Sequence, residues 1–236
     1  MSKRMIRVLP FRMQCRITRP RGPSHTTLSS ATKSVRVAME KNVDVIAIAW
    51  AVKKTLQTES DIEEFKTAMN DASCQGIIIF CATHDQPPGI STTSSASIRN
   101  NIVISIGAAG AIDQEGRLPE TLNGADFISL GSDATVNFPN DPSIDKQESI
   151  PEVDIATALA SGLAGLLLYY VKLAVALSRA SQQAHEPVTM NDFAAFKSHE
   201  KIKKAFMSLG TSEHDLLDVW GSFERTRQSI ERRRDR

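Results

Sequence analysis

The chain has 236 residues, of which 41% are hydrophobic and 23% are charged, and its formal net charge is +1. This composition predicts one sizeable globular core and excludes a nucleic-acid-binding field that covers the whole chain, so no nucleic-acid partner is expected. Positive charge is nevertheless concentrated at the start, because residues 1–39 contain nine Lys or Arg and no acid.

The cysteines indicate a reducing compartment. Cys15, Cys74 and Cys81 are odd in number and lack CxxC spacing, which fits neither a disulfide framework nor a zinc site. The first residues contain no apolar segment of signal-peptide length, so we expect a cytoplasmic protein. The Arg-rich, acid-free start is also typical of mitochondrial presequences, which is the alternative.

The first part of the chain predicts a strand, a helix and a second strand. Residues 5–17 have strand character with an interruption at Pro10, and a loop rich in Pro, Gly and Ser follows at 20–30. Residues 28–41 predict a helix. Residues 42–51 are almost continuously apolar, which is typical of a parallel strand that is covered on both faces.

The same alternation continues through the middle of the chain. Residues 61–73 predict an amphipathic helix, and the apolar runs at 76–82 and 101–108 predict two further buried strands. Alternating strands and helices predict an α/β fold, with a parallel sheet and helices on both faces. Ligands of such sheets usually bind beyond the carboxyl ends of the strands.

The longest apolar segment is residues 151–168, and no charge occurs between Ile155 and Val171. A run that is apolar on every side predicts a buried helix. A membrane span is the alternative, but about 17 uncharged residues is the lower limit and the segment is rich in Ala, Gly and Thr. No membrane partner is therefore expected.

The region after Glu186 predicts a separate helical tail. Pro187 interrupts the preceding helix, residues 190–207 predict one amphipathic helix, and residues 211–236 predict another. His185, His199 and His214 have the pattern of surface residues without metal spacing. We therefore predict two parts, residues 1–185 and a C-terminal helical extension at 186–236.

The stretch from Asp154 to Gly162, Asp-Ile-Ala-Thr-Ala-Leu-Ala-Ser-Gly, resembles the subtilisin-like serine proteases (subtilases). It is similar to the downstream part of their Gly-Thr/Ser-Ser-x-Ala-Thr-x-x-Ala-Gly motif, in which the nucleophilic serine opens a buried helix. The order of predicted elements over residues 5–180 is similar to the second half of a subtilase domain. The resemblance implies a partial subtilisin-like fold without a cofactor or a metal.

The resemblance also implies positions for the site, and several of them are substituted. Asp154 occupies the nucleophile position, and Asp85 occupies the position of the oxyanion-hole Asn, where a donor is needed. Ala49, Trp50 and Ala51 match the strand that pairs with substrate. The upstream motifs that carry the catalytic Asp and His do not occur in this sequence, and His25 lies in the wrong place to replace them.

Each of these positions has a structural alternative. Asp154 could cap the helix, or Ser149 could cap it with Glu152 in a capping box; residues 83–87 could be an ordinary polar loop, and Trp50 could fill the core. We expect an inactive pseudo-protease that binds a peptide or protein partner or has a regulatory role. The alternative is a residual peptide hydrolase, either serine-type or active in acid through an Asp85/Asp154 pair. The oligomeric state is not predicted.

Overall fold

A computed structural model describes residues 27–49, 59–83, 102–109, 125–130, 152–180, 187–209, 217 and 219–234. The predicted strand at 5–17 lies outside these residues. The described elements follow one another in the order α1 Leu28–Glu40, β1 Val45–Ile48, α2 Glu59–Cys74, β2 Ile78–Ala82, β3 Val103–Ala109, β4 Phe127–Leu130, α3 Glu152–Ala180, α4 Met190–Phe196, α5 His199–Ser208 and α6 Val219–Arg234.

The four strands form one parallel sheet in the order β1-β2-β3-β4. Its register places Ile46 beside Ile79, Phe80 beside Ile104 and Ile106 beside Phe127. Successive side chains of a strand point to opposite faces, so the apolar runs supply both faces of the sheet. The predicted α/β class, with helices on both faces and a helical tail, is confirmed.

Two hydrophobic clusters cover the sheet. On one face, α1 and α2 contribute Val35, Phe65 and Met69, which pack against β-strand residues that include Ile79 and Cys81. On the other face, α3 and α5 pack against the alternate residues of the strands, which include Ile78, Phe80, Ile104, Ile106 and Phe127. The sheet is therefore the middle layer of three.

The turns into β1 and β2 use left-handed backbone. Asn42 has a φ of 50° and Gly76 a φ of 74°, in the region that glycine and asparagine tolerate best. Asn42 thus belongs to the turn after α1, and the strand predicted from residue 42 begins only at Val45. The short strand β4 was not predicted from the sequence.

Helix α3 is longer and less buried than the sequence predicts. It packs one face on the sheet through Ala156, Ala160 and Ala164, whose small side chains allow close approach. Its outer face exposes Leu159, Leu166, Tyr170 and Leu177, so the expectation of burial on every side was wrong. By length and composition α3 is also the one helix among the described residues that could span a membrane.

The helix predicted at 190–207 is in fact two helices, α4 and α5. Ser198 has extended backbone, with a φ of −133°, and its hydroxyl accepts a hydrogen bond from the N–H of Lys201 as the N-cap of α5. Further along, the N–H of Leu217 donates to the carbonyl of Ile128 in β4. The division at residue 185/186 stays a prediction.

Helices α4 and α5 form a strap, Met190–Ser208, that contacts three strands near their amino ends. Lys197 pairs with Asp44 immediately before β1 at 2.7 Å, and Lys203 pairs with Asp126 immediately before β4 at 2.8 Å. Between them, Nε2 of His199 accepts a hydrogen bond from the N–H of Ile79 in β2 at 3.2 Å. His199 is only 8% exposed, so its expected surface position was wrong.

Asp44 is the most highly connected charge of this edge. Its carboxylate also pairs with Lys172 of α3 at 3.0 Å, and the Lys172 ammonium lies 4.9 Å from the ring centre of Phe193 in α4. Burial acts to raise the pKa of Asp44, but the hydrogen bonds and charges of Lys197 and Lys172 outweigh it and lower the pKa below its ordinary value. The ion cluster joins β1, α3 and the strap.

Removing the Phe206 side chain should destabilise the fold strongly. Phe206 is fully buried, and its ring centre lies 5.9 Å from that of Phe80 and 5.4 Å from that of Phe127. We expect Phe206→Ala to lower the free energy of unfolding by about 3–5 kcal/mol in urea titrations at pH 7. Met207→Ala is the matched control, because Met207 is 57% exposed and should cost less than about 0.5 kcal/mol. Equal losses in the two variants would contradict this packing.

Replacing the carboxylate of Asp44 should destabilise the protein at neutral pH. Asp44→Asn leaves two partly buried ammonium groups without their shared countercharge, and we expect a loss of about 1–3 kcal/mol. Because the pKa of Asp44 is lowered by folding, the carboxylate stabilises above pH about 4 and this contribution disappears as the pH falls further. In denaturant titrations, the difference in the free energy of unfolding between Asp44→Asn and the wild type should therefore shrink as the pH is lowered.

The matched control for Asp44→Asn is Glu63→Gln in the exposed pair with Lys66. Exposed pairs of this kind contribute little, so we expect a change below about 0.5 kcal/mol at any pH. A loss from Asp44→Asn no larger than that of the control would show that the cluster does not stabilise the fold.

Candidate functional site

Helix α3 runs antiparallel to the strands of the sheet. Lys172, in its second half, pairs with Asp44 at the amino end of β1. Asp154 precedes Lys172 by 18 positions, about 27 Å along a helix, whereas strands of four to seven residues span about 13–23 Å. The first turn of α3 therefore lies at or beyond the carboxyl ends of the strands.

The hydrophobic contacts give the same direction. Val45, the first residue of β1, packs with Leu168 and Val175 from the second half of α3. Val153 and Ala156 from the first turns share a cluster with Ala108 near the end of β3. The start of α3 is thus at the edge where parallel sheets usually bind their ligands.

Ala49 and Thr83 directly follow two neighbouring strands at this edge. Ala49 is half-buried after β1, and Thr83 follows β2. The backbone N–H and the hydroxyl of Thr83 both donate to the carbonyl of Ile106 in β3, at 2.8 and 3.0 Å. Thr83, which sequence reasoning treated only as part of a polar loop, thereby fixes where the following loop leaves the sheet.

Two of the predicted substrate-binding residues and one of the predicted catalytic residues lie outside the described part of the chain. They are Trp50, Ala51 and Asp85. The topology brings Ala49, Thr83 and Asp154 to the same edge of the sheet. The predicted proximity of Asp85 and Asp154 stays a prediction.

Asp154 lies in the first turn of α3. The helix begins at Glu152, so Asp154 is its third residue and not its N-cap, while Ser149 is outside the described residues. The side chain is half-buried, and its Oδ1 atom is shielded from solvent. A carboxylate is electrostatically favourable at this end of a helix. Chemically it is a hydrogen-bond acceptor beside the carboxyl ends of the strands.

Thr157 and Ser161 are the first two hydroxyl residues after Asp154 in α3, and both are buried. The hydroxyl of Thr157 donates to the carbonyl of Val153 at 2.8 Å, and that of Ser161 donates to the carbonyl of Ala158 at 2.9 Å. Both hydrogen atoms are directed at the backbone of the helix itself. Within the described residues, neither hydroxyl therefore directs its hydrogen atom at an imidazole or a carboxylate.

The described histidine, His199, lies at the opposite edge of the sheet, where it contacts Ile79 near the amino end of β2. Cys81, the buried thiol of β2, has its pKa raised by burial and is therefore a protonated core residue. No group of three His, Cys, Asp or Glu side chains suited to a metal ion occurs in the described stretches. The carboxyl edge, as far as it is described, presents a carboxylate and hydroxyls.

No protein-family model matches the chain, and no curated protein matches its sequence. Among solved structures, 28 chains are similar to it. One of them is the prenylagaramide maturation protease PagA, which matches with a TM-score of 0.52 and 15% sequence identity over 86% of this chain and 70% of PagA. The chain thus shares its fold with a protease, and at this identity the likeness extends to the fold alone.

Proposed function

We propose that this chain is a subtilisin-like peptidase domain that does not cleave peptides but binds them at the carboxyl edge of its sheet, in a binding or regulatory role. The observation that carries the proposal is the position of Asp154. A long helix begins at the carboxyl edge of a parallel sheet, as the helix of the nucleophile does in subtilases. By the resemblance in sequence, the carboxylate of Asp154 takes the position of their nucleophilic serine.

Three observations support the inactive form of the proposal. Asp154 has no hydroxyl to activate, and the hydroxyls of Thr157 and Ser161 donate to the helix backbone. The imidazole of His199 is held at the other edge of the sheet by Ile79. Nucleophilic catalysis of the triad type requires a hydroxyl or thiol, a base and an orienting carboxylate within hydrogen-bond reach of one another.

The structure of β1 supports peptide binding. In the part of the chain that the structure describes, β1 is an end strand of the sheet, and Ala47 in its middle is exposed. End strands can pair with an extended peptide through their backbone groups. Ala49 follows β1 towards the edge where α3 begins, so a peptide paired with β1 would extend towards Asp154.

The protein should neither react with a serine-hydrolase probe nor degrade casein. We expect no labelling by a fluorophosphonate and no casein cleavage from pH 3 to 9, because a carboxylate replaces the nucleophile. An active subtilisin-type protease serves as the positive control. Labelling would refute the inactive reading. Cleavage confined to acid pH and lost in both Asp85→Ala and Asp154→Ala would instead support a carboxylate pair.

Trp50→Ala should weaken the binding of casein-derived peptides by about tenfold or more, because an aromatic anchor dominates many peptide interfaces. Fluorescence polarisation with labelled peptides measures the affinity. Trp220→Ala is the matched control, since it removes the other of the two tryptophans, and it should leave the affinity unchanged. Equal losses in both variants, or no binding by the wild type, would contradict a peptide site beside β1.

A further inference from the structure

The contact between His199 and β2 is unusual because an imidazole takes the acceptor role that a strand carbonyl normally has. A backbone N–H is always a donor, so Nε2 of His199 must carry a lone pair and the ring must be neutral while the contact exists. A protonated imidazole would turn a second donor towards the N–H of Ile79. The 3.2 Å hydrogen bond is therefore incompatible with a protonated His199 ring.

The surroundings of His199 disfavour the positive charge in three ways. The side chain is 8% exposed, the residue opens α5 where the helix dipole is positive, and Lys203 lies one turn further along the same helix. Burial is the main cause that lowers the pKa of His199 to about 4, the charge of Lys203 lowers it further, and Asp126 acts in the opposite direction.

The described residues form three ion pairs near this edge, and Glu200 of α5 pairs with Lys204 of the same helix. Lys203 pairs with Asp126, and Lys197 of the strap and Lys172 of α3 both pair with Asp44. The strands β2 and β3 contribute no charged residue, and Cys81 is a protonated thiol. Among the described groups, Asp126 is thus the carboxylate that would partly offset a charged His199, and it is already shared with Lys203 and with the N–H of Ser105.

We propose that His199 is an acid-sensitive latch: its protonation releases helix α5 from the sheet and exposes the apolar surface that Ile202 and Phe206 cover. Ile202 and Phe206 are fully buried against the sheet, and α5 carries both of them only three and seven residues beyond His199. Losing the contact at the first residue of α5 removes the polar contact of this helix with β2 and leaves the Lys203–Asp126 pair beside β4. The proposal does not depend on the function of the carboxyl edge.

Protonation of His199 and opening of α5 are thermodynamically linked. A histidine whose pKa is lowered by folding stabilises the closed form fully above pH about 6.5, and this contribution declines as the pH falls towards about 4. If the released His199 has an ordinary pKa, the opening equilibrium constant of α5 should rise about tenfold per pH unit over this interval, or roughly 300-fold in total.

Amide hydrogen exchange of the full chain tests the latch between pH 4 and 7, after correction for the intrinsic exchange rate. We expect the corrected exchange rates of α5 and of the Ile79 amide to rise about tenfold for each unit by which the pH falls. The exchange rates of α2, on the other face of the sheet, should change much less. His199→Gln is the matched variant, because its amide oxygen can accept the same hydrogen bond without titrating, and its slope should be flat. Equal slopes in variant and wild type would overturn the proposal, as would an equal rise in α2.

A second readout keeps the test independent of whether His199→Gln folds. In the wild-type protein, the ring resonances of His199 should titrate with a midpoint near pH 4, together with the amide resonance of Ile79. A ring that titrates near pH 6.5 while α5 remains protected from exchange would overturn the latch.

Discussion

Three polar contacts at the amino ends of the strands hold the C-terminal half of the fold in place. Asp44 and Asp126 lie immediately before β1 and β4, Ile79 lies in β2, and each contacts a different residue of the strap. Parallel strands start at one edge, so a single pair of helices that crosses this edge can contact several of them. Because the contacts are spaced along the strap, they also fix which faces of α4 and α5 turn towards the core.

The direction of α3 depends on the same edge. Lys172 shares Asp44 with Lys197, so the ion cluster that anchors the strap also determines which end of α3 lies beside the carboxyl ends of the strands. These ion pairs lie at the amino edge of the described sheet, and the first turn of α3 lies at the other edge. The amino edge therefore holds the ion pairs that join the helices to the sheet, and under the proposed function the carboxyl edge would bind the peptide.

The elements that were predicted well from the sequence are buried segments with continuous runs of apolar residues. The strands β2 and β3 are buried on both faces, so nearly every residue is apolar and the pattern identifies them. Helix α3 was recognisable for the same reason, but its exposed residues were not, because Leu159 and Leu166 are as apolar as the residues that pack on the sheet. The composition of a segment shows which residues could be buried. Whether they are buried depends on which other elements of the fold pack against them.

The contacts that orient α3 and the strap could not be predicted, because they join residues far apart in the chain. His199 and Ile79 are 120 residues apart, and Lys172 and Asp44 are 128 residues apart. No local pattern distinguishes a buried histidine that accepts a strand N–H from one at the surface. Ser198 is different: a hydroxyl three residues before Lys201 is a local capping signal, and the break between α4 and α5 could have been found from it.

The position of Asp154 illustrates that a shared fold does not determine an activity. A helix that begins at the carboxyl edge of a parallel sheet is a property of the backbone, and very different sequences can adopt it. Cleavage by a triad depends on a hydroxyl or thiol whose hydrogen a base can accept, and the described hydroxyls of α3 next to Asp154 direct theirs to the helix carbonyls. Under the proposed function, the backbone that positions a nucleophile in subtilases would here position an acceptor, which can bind the N–H groups of an extended chain without attacking its carbonyl groups.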